Sequence, residues 1–129
     1  MNRELIAASP FFSGLPDGEL DTVASMATER EFATGETLMF EGDFGYCLFV
    51  IRSGTAKVNH AGQTIATAGP GDVVGEIAVL AGRRSASVVA TEPIQALAFF
   101  KRDVWKLEQT CPEAAERLHA AMEQHSQTA

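Results

Sequence analysis

The residues best suited to chemistry stand together in one stretch, Gly71-Asp72-Val73-Val74-Gly75-Glu76-Ile77-Ala78-Val79-Leu80-Ala81-Gly82-Arg83-Arg84-Ser85-Ala86-Ser87-Val88. Gly75 permits close backbone approach. Glu76 opens a turn or a single helical turn, and the amides after it point the way an anion-binding helix N-terminus points. Arg84 supplies a planar fork for a phosphate, and Ser85 adds a short hydroxyl beside it. A carboxylate accepts bonds from sugar hydroxyls while a guanidinium neutralises a phosphate, so the set suits a ligand that carries both. The plain alternative is an exposed Glu76–Arg84 ion pair on a surface loop, worth about 0–1 kcal/mol. The order of the motif, with glycine and acid first and arginine, serine and alanine after, weighs against it.

Other chemistries find less support. His60 stands by a turn, and His119 and His125 are six residues apart on the last helical stretch, so they share no i,i+4 face. No metal site is expected. Cys47 lies inside an apolar run and Cys111 just before Pro112, without metal-ligand spacing, and both read as reduced thiols. Neither has a general base visible in the sequence, and no catalytic residue is expected.

The elements that must hold the motif fall into three sections. From Pro16 to Met26, Leu20, Val23 and Ala24 recur at helical spacing, with Ala27 extending the stripe. Ahead of this helix, Pro10-Phe11-Phe12-Ser13-Gly14-Leu15 reads as a segment docked on the core. Between Glu29 and Lys101 the apolar runs shorten to strand length, as in Cys47-Leu48-Phe49-Val50-Ile51 and Ser87-Val88-Val89-Ala90. Turn chemistry separates them at Thr34-Gly35-Glu36, Ser53-Gly54, Ala61-Gly62 and Gly69-Pro70-Gly71-Asp72, which favours a closed barrel or sandwich.

The third section is helical again. Arg102 to Glu108 places Val104, Trp105 and Leu107 together, Thr110-Cys111-Pro112 breaks the chain, and a second helix carries Ala114, Ala115, Leu118, Ala121 and Met122. That last stripe can lie on the barrel, pair with a second copy as a homodimer, or close over a ligand; the sequence leaves all three open.

Composition narrows the function classes. The 129 residues make one domain, and 46% hydrophobic with 21% charged residues is the make-up of a folded soluble chain. A net charge of −7 repels phosphate backbones and anionic lipid, so neither nucleic acid nor membrane is an expected partner. No apolar run reaches a membrane span, and Met1-Asn2-Arg3-Glu4-Leu5 lacks a secretory signal, which points to the cytoplasm.

The run Gly75-Glu76-Ile77-Ala78-Val79-Leu80 followed by Arg84-Ser85-Ala86 resembles the phosphate-binding cassette of the cyclic nucleotide-binding domain family. Pro10 to Leu15, Thr34-Gly35-Glu36-Thr37-Leu38, Phe40-Glu41-Gly42-Asp43, Leu48 to Gly54 and Gly69-Pro70-Gly71-Asp72 resemble that family's successive signatures in the right order. The resemblance implies a mostly β fold: an antiparallel, jelly-roll-like β-roll over about 29–101, with an N-terminal helix, a short phosphate-cassette helix and two C-terminal helices over about 102–127. The whole chain, 1–129, would be a single domain of this kind.

The same resemblance implies a role for each site residue. Glu76 becomes the acceptor for the ribose 2'-hydroxyl with the Gly75 backbone beside the sugar, and Arg84 becomes the main partner of the cyclic phosphate. Amides around Ile77 and Ala78, with Ser85 and Ala86, complete the phosphate shell, and Ile65 and Val73 contact the purine. The implied ligand is cyclic AMP or cyclic GMP, acting as a regulator, with no other cofactor. The signal would be a shift of the C-terminal helices as Val104, Trp105, Leu107 and Leu118 repack against the cassette, read by an effector domain or protein outside this chain. The competing reading is a degenerate β-roll that serves as a protein-interaction scaffold.

Three departures from the family pattern stand out. Val73 and Val74 replace the aromatic residue often found before Gly75, which thins the purine wall. Arg83 precedes Arg84, and the Arg-Ser-Ala order selects Arg84. After Ala86 no segment is long enough for a helix-turn-helix, so the output is expected elsewhere. Gln124, His125 and Gln127 are the nearby polar candidates for a base contact, weighed against a plain fraying helix terminus, which is the reading preferred for each.

Overall fold

In the computed structural model the described residues are 3–40, 42, 47–75 and 86–128, with side chains described as far as Ala121. Two helices lead the chain. The short α1 (Arg3–Ala8) buries Ile6 and gave no periodic signal in the sequence. Pro16 sits just outside α2 (Asp17–Met26), with φ −56° and ψ 148°, and Asp17 and Glu19 place negative charge in the first turn, where the helix dipole favours it. The buried side chains of α2 are Leu20, Val23 and Ala24, the stripe expected from the spacing.

Eight strands follow: β1 (Thr28–Phe32), β2 (Thr37–Met39), β3 (Cys47–Ser53), β4 (Ala56–His60), β5 (Gln63–Ala68), β6 (Val73–Val74), β7 (Ser87–Ala90) and β8 (Ile94–Phe100). They form two four-stranded sheets, ordered β1-β8-β3-β6 and β2-β7-β4-β5, and every pairing is antiparallel. The chain ends in α3 (Lys101–Thr110) and α4 (Pro112–Thr128), separated at Cys111, where the following proline disfavours helical backbone. The mostly β roll with flanking helices is the expected architecture; the expected cassette helix falls outside the described residues.

Why β3 and β8 read as continuous apolar runs is clear from what covers them. The first sheet is covered on both faces, so neither strand needs a polar side. Leu48 and Val50 of β3 and Leu97 and Phe99 of β8 join Ile6, Phe12, Leu20, Val23, Val104, Leu107 and Leu118 in an outer apolar layer beneath the helices. The alternate residues, Phe49 and Ile51 of β3 and Ile94, Ala96 and Ala98 of β8, face the second sheet in an inner layer. There they meet Leu38, Met39, Ala56, Ala68, Val88 and Ala90. The second sheet has little cover on its outer side, and β5 is exposed from Gln63 to Thr67.

One expected contact is corrected. Val104 and Leu107 are buried, but Trp105 is 65% exposed and does not join them. Adjacent residues on a helix diverge by about 100°, and the inward arc of α3 is taken by Val104 and Leu107.

The turns are fixed by glycine where the backbone must come close. Gly54, at φ +89°, carries β3 into β4, and a Cβ there would stand 2.2 Å from the Pro93 carbonyl oxygen. Next to it Thr55 locks the approach: its carbonyl accepts from the Thr91 amide at 2.9 Å and its hydroxyl donates to Glu92 Oε1 at 2.8 Å.

Candidate functional site

Most of the predicted site, from Glu76 through Ile77, Ala78, Arg83 and Arg84 to Ser85, lies outside the described residues. The structure describes the frame that receives it. On one side is β6, paired with β3 through Val74 opposite Phe49 and Val73 opposite Val50. Beyond Val74, Gly75 adopts φ +87°, a left-handed backbone that favours glycine. On the other side Ala86, half-buried, leads into β7, whose Ser87 pairs with Asn59 and whose Val88 pairs with Val58. β6 belongs to the first sheet and β7 to the second, so the chain passes from one sheet to the other between Val74 and Ser87.

The turn that enters β6 is held firmly. Asp72 accepts the Gly69 amide at 2.8 Å through Oδ2 and donates its own amide to the Gly69 carbonyl at 3.0 Å. Ile51 continues the pairing on both sides, donating to the Asp72 carbonyl and accepting from the Gly71 amide, each at 2.9 Å. These bonds set the register of the two valines.

That register moves one expected contact. Val73 is 1% exposed and packs in the outer layer with Ile6, Phe12 and Phe99, on the face away from the second sheet. Val74 is the residue that points between the sheets, beside Phe49, Ala98 and Val88. Side chains alternate along a strand, so of two consecutive valines only one can face inward: Val73, expected to contact the purine, faces outward, and Val74 faces inward. Ile65, the other expected apolar contact, is the extra residue of a bulge between β4 and β5 and is 43% exposed.

Sequence reasoning missed the texture of the inner layer. Ala56, Ala68, Ala90, Ala96 and Ala98 line it, so the facing sheets present short side chains across much of their shared interior. Val58 packs against the same layer from β4. A period-two pattern could have found Ala56 and Ala68, which alternate with Lys57 and Thr67, but not Ala90, Ala96 and Ala98, whose neighbours Val89, Leu97 and Phe99 are apolar too. Arg30 was also missed: its guanidinium carbon lies 5.2 Å from the Phe32 ring centroid and 5.9 Å from that of Phe49, a cation–π stack at the edge of the roll.

Cys47 and Cys111 form no disulfide, and Cys111 is buried and Cys47 partly so. Among the described residues no group of three or more histidine, cysteine, aspartate or glutamate side chains is placed to hold a metal ion. No described helix is long and apolar enough to cross a membrane.

Comparison with known proteins bears on the same stretch. The family model described as "Cyclic nucleotide-binding domain" matches residues 29–111, from β1 through the motif to the end of α3. The chain belongs to this family. It is 36% identical over 120 residues to the cyclic AMP receptor protein of Thermus thermophilus, a match covering 88% of this chain and 56% of that protein. It is 34% identical over 92 residues to a cGMP-dependent protein kinase of Toxoplasma gondii, covering 70% of this chain and 9% of the kinase. The crystal structure of the Thermus thermophilus catabolite activator protein superposes with a TM-score of 0.79 at 34% identity, over 92% of this chain and 59% of that one. This cyclic nucleotide-binding domain thus spans little more than half the length of the first relative and a small part of the second.

Proposed function

We propose that this domain is a cyclic AMP sensor, in which Glu76 accepts the ribose 2'-hydroxyl and Arg84 pairs with the cyclic phosphate. Family membership supports a cyclic nucleotide ligand; one relative is a cyclic AMP receptor and another a cGMP-dependent kinase, so cyclic GMP is the competing ligand. The observation that carries the reading is the position of the motif. In sequence the glycine, the acid and the arginine-serine-alanine run lie between β6 and β7, inside the stretch 29–111 that the family model matches.

In this reading the phosphate shell comprises the amides at Ile77 and Ala78 with Ser85 and Ala86, and the Gly75 backbone lies beside the sugar. The purine rests against Val74, Val58 and Ile65. Charge complementarity does most of the binding, because a guanidinium withdrawn from water beside a phosphate is a strong, geometrically selective partner. The domain acts as a regulator and not as a catalyst, it works in the cytoplasm, and its effector lies outside the chain. Ligand energy reaches that effector by shifting the C-terminal helices, and only the difference in affinity between the two helix arrangements can drive the shift.

Calorimetric titration with cyclic AMP and cyclic GMP tests the reading. Saturable heat with tighter binding of cyclic AMP is expected. Absence of heat and of any thermal shift at millimolar ligand would overturn it in favour of an interaction scaffold.

A further inference from the structure

The C-terminal helix is not held against the roll by apolar packing alone. The first two turns of α4 are fastened to the N-terminal section by two side chains, one reaching in each direction. Glu19 of α2 accepts the amides of Ala114 and Glu113 at 3.0 and 3.4 Å, satisfying donors that a helix N-terminus leaves open. Arg117 of α4 reaches back to the loop between α1 and α2, where its Nη1 donates to the carbonyls of Phe11 at 2.6 Å and Ser13 at 2.9 Å.

That loop rests in turn on the entry to β6. A Cβ added to Gly71, at φ +89°, would meet Pro10 Cβ at 3.0 Å, so the proline ring lies directly on the glycine. Between these parts runs a cleft of about 500 Å³ lined by Pro10, Phe11, Asp72, Val73, Arg117 and Ala121, among others. A continuous mechanical path therefore joins the turn before the nucleotide motif to α4: Gly71 to Pro10, the backbone of residues 11–13, then Arg117.

We propose that Arg117 is a positioning residue that carries displacement of the 69–72 turn to α4 through the 10–13 loop. The proposal rests on the cyclic nucleotide reading and adds the route by which occupancy reaches the helix. A guanidinium bonded to two backbone carbonyls holds a rigid register that a flexible apolar contact does not. The apolar layer under α4 supplies its stability, and the Arg117 fork supplies its alignment to the loop.

Hydrogen exchange on the full chain with and without cyclic AMP, read for the 9–14 loop and for α4 amides 115–121, tests this alongside calorimetric affinity. In the unaltered protein, ligand should change exchange in both segments together. In Arg117→Ala the loop should still respond and the α4 response should vanish, with affinity within about threefold; Arg117→Lys, which keeps the charge but loses the fork, should restore only part of it. Pro10→Gly, which removes the Cβ that lies on Gly71, interrupts the same path at its other end and should also silence α4, which keeps the test usable should the arginine variant fold poorly. An undiminished α4 response in both variants overturns the proposal, as does ligand binding in the unaltered protein without any α4 response. If the unaltered protein takes up no cyclic nucleotide at all, it is the sensor reading itself that fails.

Discussion

Val73→Ala and Val74→Ala are chemically identical changes on neighbouring residues, and the fold makes their consequences diverge. Both side chains are almost wholly buried, at 1% and 4% exposure. Each substitution removes two carbon groups worth about 0.8 kcal/mol apiece in transfer free energy and leaves a small void, for about 2–3 kcal/mol of stability. For a domain of this size that is a fall of roughly 6–12 °C in thermal midpoint, similar for the two variants. Binding should separate them. Val73 lies under the helices with Ile6 and Phe12, whereas Val74 lies between the sheets with Phe49 and Ala98. Val74→Ala should weaken cyclic AMP by about fivefold to tenfold, the worth of one partial apolar contact at about 1 kcal/mol, and Val73→Ala by less than about twofold. Thermal denaturation followed by calorimetric titration measures both quantities on the same preparations. A binding loss in Val73→Ala equal to or larger than that in Val74→Ala would refute the assignment of inner and outer faces to the ligand.

Three further outcomes follow from particular contacts. Gly54→Ala places a Cβ 2.2 Å from the Pro93 carbonyl oxygen on a left-handed backbone, so it should cost more than about 3 kcal/mol and reduce soluble yield, as urea denaturation would show. Glu19→Ala removes the acceptor for the first amides of α4 and should cost about 1–2 kcal/mol, read as a shifted denaturation midpoint with an unchanged slope. Glu76→Gln should weaken cyclic AMP while leaving the thermal midpoint unchanged; a collapse of stability instead would make it a structural carboxylate.

Much of the fold was legible because its punctuation is local. Glycine-bearing turns cut the middle of the chain into strand-length apolar runs, and the α2 stripe of Leu20, Val23 and Ala24 needs only helical spacing to be seen. Helix α1 was not legible, since six residues with Ile6 as their buried side chain carry no period. The facing of Val73 and Val74 was hidden for a different reason: identical neighbours show no alternation, and their register is set by backbone bonds from Ile51, about twenty residues away. Grouping Trp105 with Val104 and Leu107 on the stretch from Arg102 to Glu108 misses that its place on α3 turns it outward. The ties made by Glu19 and Arg117 link residues 95 and 106 positions apart and leave no trace in any local pattern. The candidate motif stands in the sequence as an ordered run, while the alanine positions of the inner layer became apparent only once the sheets were paired.

The account stands most directly on which guanidinium meets the phosphate. Cyclic AMP affinity measured side by side for Arg84→Ala and Arg83→Ala decides it. Removing the charge partner of the phosphate at Arg84 should cost about 2–5 kcal/mol of binding, a loss of roughly thirtyfold or more, while Arg83→Ala stays close to the unaltered protein. Equal affinities in all three proteins, or a larger loss at Arg83, would contradict it.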